Sequence, residues 1–367
     1  MNLHGIIFAD RLAPELKELT TPRTAASLPY AGRYRLIDFP LSAMQNAGVH
    51  DVDVIMQRDF QSLLDHVGSG KTWDMSRRRG GLRLLPPFDS ADTERGGQGT
   101  MGILLSIKNY IRDIRQDYVV LCSGTLAANL DLSAVMQSHL DTGASVTAVC
   151  TNVIPPGSPA KRLIADENNY VTEIPHGVSD IGLASLEVFL MSKQTLIRAM
   201  EICSEAGCSC SHYFALRALI EEGCAISAFI HEGYAKQIRT VSDYYTSSMA
   251  LLGSDVRREL FTSERPVNTK VRSDVGAYYG DSGKVSNCLI ADGCRVEGEV
   301  KNCLLFRGVV VERGAYLENC IIMQDSVVGA GARLAHVISD KDTHITGGTC
   351  LQGSPEEPIL IPKATVI

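Results

Sequence analysis

The residues most informative about chemistry follow the first apolar run of the chain. Leu3–Phe8 has the composition of a buried strand and leads into the turn A-D-R-L-A-P-E at residues 9–15. In a nucleotide-binding α/β domain this turn is normally rich in glycine, because only bare backbone lets a phosphate approach closely. Here the turn has no glycine and carries a carboxylate where a phosphate would sit. The turn is therefore either an unusual nucleotide site or the remains of one.

A second group with possible chemistry is Cys203, Cys208, Cys210 and His212. Thiolates and imidazole are ligands that zinc prefers, so a zinc site is one hypothesis. The chain contains no C-x2-C pair, however, and cysteine is among the residue types most often simply buried. The odd total of 11 cysteines at irregular spacing also argues against a secreted disulfide framework. Reduced and packed thiols are the favoured interpretation.

The elements that must position these residues follow a regular order. Apolar strand-like runs alternate with helix patterns through the first two-thirds of the chain, the runs at 52–56, 118–122, 145–150 and 186–190, the helix patterns at 41–46, 101–114 and 132–142. This alternation predicts βαβ units, and hence an α/β, Rossmann-like domain with a mainly parallel sheet covered on both faces. Residues 71–97 break the rhythm and are predicted to form a long irregular insertion.

The last part of the chain repeats a short motif. Asn-Cys followed by two apolar residues begins at Asn287, Asn302 and Asn319, and a related segment begins at His336, so the starts lie 15, 17 and 17 residues apart. Three short apolar strands in each turn of about eighteen residues are typical of a left-handed parallel β-helix of hexapeptide type. A β-sandwich is the alternative, but a sandwich has no reason to repeat this motif. The asparagines are expected to form a ladder of amide hydrogen bonds.

Composition places the chain among ordinary globular proteins. It has 367 residues, 45% of them hydrophobic and 21% charged, with a formal net charge of −7. This balance shows no overall bias towards nucleic acid or membrane surfaces. No apolar stretch is as long as a membrane span, and the N-terminus lacks a basic segment followed by an apolar run. We therefore expect a cytoplasmic protein that binds neither nucleic acid nor membrane.

Residues 30–42, Y-A-G-R-Y-R-L-I-D-F-P-L-S, resemble the F-G-G-K-Y-R-I-I-D-F-P-L-S segment of ADP-glucose pyrophosphorylase (glucose-1-phosphate adenylyltransferase), a family of glycogen and starch synthesis. Residues 46–49, 99–100, 121–130 and 183–185 continue the likeness, which covers most of the chain. The resemblance implies a nucleotidyltransferase-like domain at 1–245, a linker at 246–270 and the β-helix at 271–367. Within the first domain it implies a vestigial nucleotide pocket at Gly99, Thr100, Ser123 and Gly124.

The same resemblance shows which catalytic groups this chain lacks. The family's reaction needs backbone amides and cations around a triphosphate, and carboxylates that hold Mg²⁺. Carried over onto this sequence, the family's catalytic arginine becomes Glu15, which would oppose a triphosphate in a low-dielectric cleft. Its two lysines become Ala25 and Ile174, and its two metal-binding aspartates become Thr125 and Thr240. The resemblance therefore implies no catalytic residue and no Mg²⁺ site in this chain.

Four further positions matter for ligands. A glycine of the family's sugar-binding motif becomes Glu187, which is expected to crowd the sugar pocket. Family residues that bind a phosphorylated activator carry over as Arg23 and Arg35, and Arg33 adds positive charge nearby. Neighbouring basic positions of the family fall on prolines here, so such an anion site would be incomplete. The alternative is that both arginines are ordinary surface or capping residues, and the arginines at 77–79 a solvated loop.

The resemblance implies a regulatory, non-catalytic subunit that forms a hetero-oligomer, expected to be a tetramer, with a catalytic paralogue. That partner would supply the active site and its Mg²⁺, and a phosphorylated small molecule would act as activator. One alternative is an active nucleotidyltransferase in which Asp10, Asp131 or Glu173 replaces the missing metal ligands. Another is an acyltransferase that uses a histidine of the β-helix, His336 or His344.

Overall fold

The protein consists of an N-terminal α/β region and a C-terminal β-helix. The computed structural model describes residues 1–9, 14–56, 59–86, 99–153, 160–177, 179–207 and 210–367. Strands of the α/β region are β1 (Leu3–Phe8), β2 (Pro29–Tyr30), β3 (Tyr34–Arg35), β4 (Val52–Ile55), β5 (Leu82–Leu85), β6 (Tyr118–Ser123), β7 (Leu126–Ala128), β8 (Val146–Thr151), β9 (Arg162–Ala165), β10 (Val171–Glu173), β11 (Leu183–Ser192), β12 (Ile226–Ile230) and β13 (Ala235–Gln237). Its helices are α1 (Asp38–Asn46), α2 (Gln61–Val67), α3 (Thr100–Ser106), α4 (Lys108–Arg112), α5 (Leu132–Thr142), α6 (Lys193–Glu205), α7 (His212–Glu221), α8 (Val241–Ala250) and α9 (Ser254–Leu260).

The main sheet has a parallel centre. Its strand order is β10-β9-β11-β6-β1-β4-β5. Strand β8 also pairs with β11, and β12 pairs with β8. Strands β6, β1, β4 and β5 run parallel to one another, whereas β11 runs antiparallel to both β6 and β8. The predicted mainly parallel sheet is therefore confirmed. The predicted irregular insertion was wrong in part, because β5 lies within it and extends the sheet.

Helices cover both faces of this sheet. Neighbouring residues of a strand point to opposite faces, and in β1 the side chains of Ile6 and Ile7 accordingly enter two different hydrophobic clusters. Helices α3, α4, α6 and α7 supply the cluster around Ile6, and α1, α2 and α5 supply the cluster around Ile7. The single helix predicted at 101–114 is interrupted at Ile107, between α3 and α4.

The C-terminal region is a parallel β-helix, as its repeat predicts. Its strands are β14 (Tyr278–Tyr279), β15 (Lys284–Ser286), β16 (Leu289–Ile290), β17 (Arg295–Val296), β18 (Glu299–Lys301), β19 (Leu304–Leu305), β20 (Val310–Val311), β21 (Tyr316–Glu318), β22 (Ile321–Ile322), β23 (Val327–Val328), β24 (Arg333–Ala335), β25 (Val337–Ser339), β26 (His344–Ile345), β27 (Cys350–Gln352) and β28 (Ile359–Ile361). They form three sheets of five strands each, and every pairing is parallel. Each coil therefore contributes one strand to each sheet.

The Asn-Cys repeat turns one corner of the β-helix. Asn287, Asn302 and Asn319 have positive φ values of 49°, 50° and 54°, a conformation that asparagine tolerates better than most residues. The side-chain amide of Asn287 donates to Asn302 Oδ1 at 2.8 Å, which is one rung of the expected ladder. In the next coil, Asn319 contacts the ring of His336 instead.

The two regions share a hydrophobic core. Tyr244 and Leu260, from α8 and α9, pack in one cluster with Phe306, Met323 and Ile338 of the β-helix. The hydroxyl of Tyr245 donates to the Asn319 carbonyl at 2.9 Å. The boundary proposed after residue 245 falls inside α8, and the proposed linker contains α9.

Candidate functional site

The carboxyl ends of β1 and β6 form the edge of the sheet where open α/β folds bind ligands. Two of the residues predicted to belong to a vestigial nucleotide pocket, Ser123 and Gly124, lie at this edge. Gly124 donates its backbone N–H to the Phe8 carbonyl at 2.9 Å. A Cβ at this position would lie 2.9 Å from Phe8 O and 2.9 Å from the Cβ of Ala26. The glycine is therefore required for the close approach of the chain segments, whether or not a phosphate binds.

Thr125, at the position of the family's first metal-binding aspartate, is buried in the turn between β6 and β7. Its hydroxyl lies 3.1 Å from that of Ser123, and its backbone carbonyl accepts a hydrogen bond from Ile238 N at 3.0 Å. The two hydroxyls thus satisfy each other within the turn. Nothing in this arrangement supplies the negative charge that a divalent cation requires.

Thr240, at the position of the family's second metal-binding aspartate, is the N-cap residue of α8. Its hydroxyl accepts from Asp243 N at 2.9 Å, while the Asp243 carboxylate accepts from Thr240 N at 3.1 Å. This reciprocal pair is a capping box, which satisfies backbone donors that the first turn of a helix leaves unpaired. The side chains of Thr240 and Asp243 therefore both stabilise the start of the helix.

Glu187 occupies the same edge of the sheet from the β11 side. Its side chain is only 4% exposed and lies 2.9 Å from Arg239 Nη2. Gln237 donates to its other carboxylate oxygen at 2.8 Å. The backbone of Glu187 has a φ of 58°, in the left-handed region that favours glycine.

The other degenerate positions lie in three different environments. Ala25 is buried in the core shared with the β-helix, and Ile174 is buried in the cluster around Ile6. Both positions have therefore become part of hydrophobic packing. Glu15 lies at the start of a 3-10 helix and is exposed, so solvent screens its charge. Because Glu15 is exposed, the expectation that its charge lies in a low-dielectric cleft is wrong.

The remaining pocket residues, Gly99 and Thr100, begin α3 at a half-buried position. The hydroxyl of Thr100 lies 3.2 Å from Nδ1 of His212 on α7. This contact assigns His212, a member of the hypothetical zinc cluster, to the packing of the two helices. Sequence reasoning did not connect these two residues, which are far apart in the chain.

The described residues of the cysteine cluster form no metal site. Within the described ranges, no group of three or more His, Cys, Asp or Glu side chains has an arrangement that could hold a metal ion. Cys203 is a free thiol, and burial raises its pKa to about 11. Cys210 is disulfide-bonded, so the prediction of reduced thiols is wrong at that position. Cys208 lies outside the described residues.

A group of basic side chains lies where the α/β region meets the β-helix. Arg23 is buried, and its Nη2 lies 2.9 Å from both carboxylate oxygens of Asp340. This guanidinium therefore already has an anionic partner from the β-helix. The alternative that Arg23 is an ordinary surface residue is excluded, because its side chain is buried.

Arg35 and Lys341 complete this group. Arg35 donates to Ser62 Oγ at 2.8 Å, and burial lowers the pKa of its guanidinium to about 10. Burial, together with the positive charges of Arg35 and Arg23, lowers the pKa of Lys341 to about 7. Lys341 follows Asp340 in the β-helix, and no sequence motif distinguished it.

The other predicted arginines do not join this group. Arg33 is exposed and lies over the ring of Tyr34, 5.6 Å from its centroid. The arginines at 77–79 are also exposed, and Arg77 forms an ion pair with Asp74 at 3.0 Å. This exposure fits the interpretation that residues 77–79 belong to a solvated loop.

Comparisons with known proteins agree with this architecture. Residues 5–161 match the nucleotidyl transferase family, and residues 273–357 match the GlmU-like C-terminal hexapeptide family. Glycogen biosynthesis protein GlgD of Bacillus subtilis is 33% identical over 99% of this chain and 96% of its own length. GlgD of Geobacillus stearothermophilus is 35% identical over the same shares. The chain belongs to the GlgD family of glycogen biosynthesis proteins.

Enzymes are more distant relatives of this GlgD-family chain. Glucose-1-phosphate adenylyltransferase of Clostridium botulinum is 28% identical over 86% of this chain and 83% of its own length. The resemblance to the ADP-glucose pyrophosphorylase family is therefore confirmed. Within the described part of the chain, no helix is long and apolar enough to cross a membrane.

The geometry limits what this GlgD-family site can do. Hydroxyls stand at both positions where the family has metal-binding aspartates, and both take part in local hydrogen bonds. Glu187, an acidic side chain at the edge of the sheet, is paired with Arg239. These described residues do not fit a Mg²⁺ site. The junction, in contrast, gathers Arg23, Arg35 and Lys341 into one basic group.

Proposed function

We propose that this chain is a regulatory, non-catalytic subunit of glucose-1-phosphate adenylyltransferase in glycogen biosynthesis. The observation that carries the proposal is the local use of Thr125 and Thr240, whose hydroxyls form hydrogen bonds inside a turn and a helix cap. Adenylyl transfer needs carboxylates that hold Mg²⁺ against the triphosphate. The similarity of this chain to the two GlgD proteins over nearly its full length supports the same role.

A subunit of this kind acts through its contacts with another subunit. The partner would be a catalytic paralogue, which supplies the active site and its Mg²⁺, and the expected assembly is a heterotetramer. Regulation then requires that contacts between the subunits differ between a less active and a more active state of the partner. A chain without turnover of its own can still bias that equilibrium.

A phosphorylated activator is the proposed ligand of the basic group at the junction. Arg35 and Lys341 both have lowered pKa values because burial and neighbouring positive charges disfavour their charged forms. A phosphate group placed between them would relieve that repulsion, and guanidinium suits phosphate through its paired donors. Asp340 occupies the Nη2 donors of Arg23 and offsets its charge, so Arg23 contributes less to the site than Arg35 and Lys341.

The test is reconstitution with the catalytic paralogue of the same organism. We expect the two chains to co-purify, and the pure chain to form no ADP-glucose from ATP and glucose 1-phosphate. We expect the mixture to differ from the catalytic subunit alone in rate or in its response to phosphorylated effectors. Rapid turnover by this chain alone would contradict the proposal, and an unchanged partner would leave the chain no regulatory role.

Asp131 and Glu173, the two described acids among the candidates to replace the missing metal ligands, have other surroundings. Asp131 caps α5 through Ala134 N at 3.0 Å and contacts Arg265 at 3.3 Å. Glu173 is exposed on β10, and Asp10 lies outside the described residues. The acyltransferase alternative gains no support either, since the ring of His336 lies 2.8 Å from the Tyr245 hydroxyl at the junction and His344 is exposed.

A further inference from the structure

We propose that Cys288 is a site of oxidation by hydroperoxides, and that Cys303 captures the oxidised sulfur as a disulfide between the first two coils of the β-helix. Both thiols belong to the Asn-Cys repeat, whose cysteines the proposed function leaves without a role. The inference goes beyond that function and depends on the β-helix alone, so either can fail without the other.

The three cysteines of the repeat form a column through the first three coils. The residues that follow them pair in register across β16, β19 and β22. The backbone N–H of Cys303 donates to the sulfur of Cys288 at 3.4 Å, and that of Cys320 donates to the sulfur of Cys303 at 3.3 Å. Each of these two sulfurs therefore lies against the cysteine of the next coil.

The first cysteine of the column is the most accessible. Strand β16, which follows Cys288, lies at the edge of its sheet. Cys288 is half-buried, whereas Cys303 and Cys320 are fully buried. The same difference appears in the neighbouring sheet, where Val285 of the first coil is 39% exposed and Val300, which pairs with it, is 0% exposed. A small solute such as a hydroperoxide therefore reaches Cys288 before the other two thiols.

The contacts of Cys288 favour its thiolate, which is the form that attacks a peroxide. A hydrogen bond from the Cys303 thiol, together with backbone hydrogen bonds, lowers the pKa of Cys288 and outweighs the opposite effect of burial. Burial raises the pKa of Cys303. Burial also raises the pKa of four other thiols, Cys122, Cys150, Cys203 and Cys294. Of these six thiols, Cys288 is therefore expected to react first.

The spacing of the two coils suits a disulfide. Adjacent strands of a sheet lie about 4.8 Å apart. Disulfides join residues whose Cα atoms are about 4.4–6.8 Å apart. Cys288 and Cys303 can therefore be joined while both coils keep their places in the β-helix.

The oxidation has two steps. The Cys288 thiolate attacks one oxygen of the hydroperoxide, the O–O bond breaks and the leaving oxygen takes up a proton, so that Cys288 becomes a sulfenic acid. The sulfur of Cys303 then attacks the sulfur of Cys288, the S–O bond breaks, and the hydroxyl group leaves as water with the proton of Cys303. The two thiols together lose two electrons, and the hydroperoxide is reduced to an alcohol, or to water if it is hydrogen peroxide.

A purely structural role of the column is the alternative. Each thiol donates to the carbonyl oxygen two residues earlier, Cys288 to Ser286 at 3.1 Å, Cys303 to Lys301 at 3.0 Å and Cys320 to Glu318 at 3.2 Å. If the thiols only satisfy these carbonyls, Cys288 reacts no faster than a thiol of similar exposure elsewhere and forms no disulfide. The rate and the product of oxidation therefore separate the two roles.

The experiment treats the reduced full chain with a small molar excess of hydrogen peroxide, blocks the remaining thiols at intervals and maps every cysteine by peptide mass spectrometry. We expect Cys288 to be oxidised at least about tenfold faster than Cys224, a half-buried free thiol of the α/β region that serves as the internal reference. The expected product is a disulfide between Cys288 and Cys303 that dithiothreitol reverses. Cys350→Ser, which removes an exposed free thiol, is the control variant and should behave as the parent chain does.

Two further variants separate the steps. Cys303→Ala removes the second thiol, so the sulfenic acid should persist on Cys288 and be trapped by dimedone, whereas Cys288→Ser should leave Cys303 unoxidised. Because the parent chain alone gives both the rate and the product, the test holds even if a variant at the buried Cys303 does not fold. Equal rates at Cys288 and Cys224 would overturn the inference, and so would an oxidised Cys288 that forms no disulfide with Cys303 in the parent chain.

Discussion

At the scale of single residues, the side-chain charge at position 125 can be tested. Thr125 is buried beside the neutral hydroxyl of Ser123, so a carboxylate placed there would gain no charged partner from this contact. We therefore expect Thr125→Asp to lower the free energy of unfolding by about 1–3 kcal/mol, in urea titrations monitored by circular dichroism. Thr125→Asn, of similar shape but neutral, should cost less. A stable Thr125→Asp chain that turns over substrate with Mg²⁺ would show that the rest of the site is intact.

Lys341 gives a prediction about pH. Because its pKa is lowered to about 7 in the folded chain, the unfolded chain binds more protons between pH 7 and the ordinary range of lysine. The penalty from this lysine is complete below pH 7 and disappears as the pH rises through that window. Lys341→Met should raise the melting temperature by about 2–4 °C at pH 6 and by less at pH 9.

The matched control for this pH profile is Lys284→Met. Lys284 is exposed in β15, so its removal should leave the profile close to that of the parent chain. Inorganic phosphate should stabilise the parent at pH 6 and stabilise Lys341→Met less. A phosphate effect that is equal in both chains would place the anion elsewhere.

At the scale of elements, Thr240 shows how a former site position can serve a helix. The capping box at the start of α8 satisfies backbone donors of the first turn. Thr240→Ala should therefore lower the free energy of unfolding by about 1 kcal/mol, while Thr240→Ser, which keeps the hydroxyl, should change it little. Chemical denaturation of both variants checks this. Equal stability of the two variants would mean that the cap contributes nothing.

The contact between Arg23 and Asp340 joins elements 317 positions apart in the chain. Arg23→Ala would leave a buried carboxylate without its cation, so we expect a loss of about 3–5 kcal/mol in unfolding free energy. Arg258→Ala, which removes an exposed ion pair with Asp255, is the control and should have little effect. If both variants are equally stable, the contact does not hold the two regions together.

The elements were more predictable than the contacts between them. Alternating apolar runs predicted the sheet, and the Asn-Cys repeat predicted the β-helix, because both depend on local periodicity. The pairing of Arg23 with Asp340 and the position of Lys341 depend on how two regions approach each other, which no local pattern encodes. The positive φ of Glu187 was predictable in principle. The resemblance places a glycine of the family's motif at this position, and glycine indicates a backbone conformation that other residues adopt with strain.

At the scale of the whole molecule, the shared core makes the α/β region and the β-helix one mechanical unit. Tyr244, Phe306 and Ile338 pack in that core, and the basic group lies at the same junction. An anion bound at the junction would contact both regions at once, so its binding energy could favour one conformation of this unit over another. This is the physical route by which the proposed regulatory subunit would respond to a phosphorylated metabolite.

In the assembled complex, anion binding at the junction predicts a change in the response to a phosphorylated effector. In a complex with the catalytic paralogue, Lys341→Met should assemble normally but need about tenfold more phosphorylated effector for half-maximal response, because one cation of the anion site is lost. Rates measured against a panel of phosphorylated sugars and inorganic phosphate, with Arg78→Ala as an exposed control, check this. The effect should appear in the effector concentration and leave the rate without effector unchanged. An identical response from both variants would mean that the effector acts through the catalytic subunit alone.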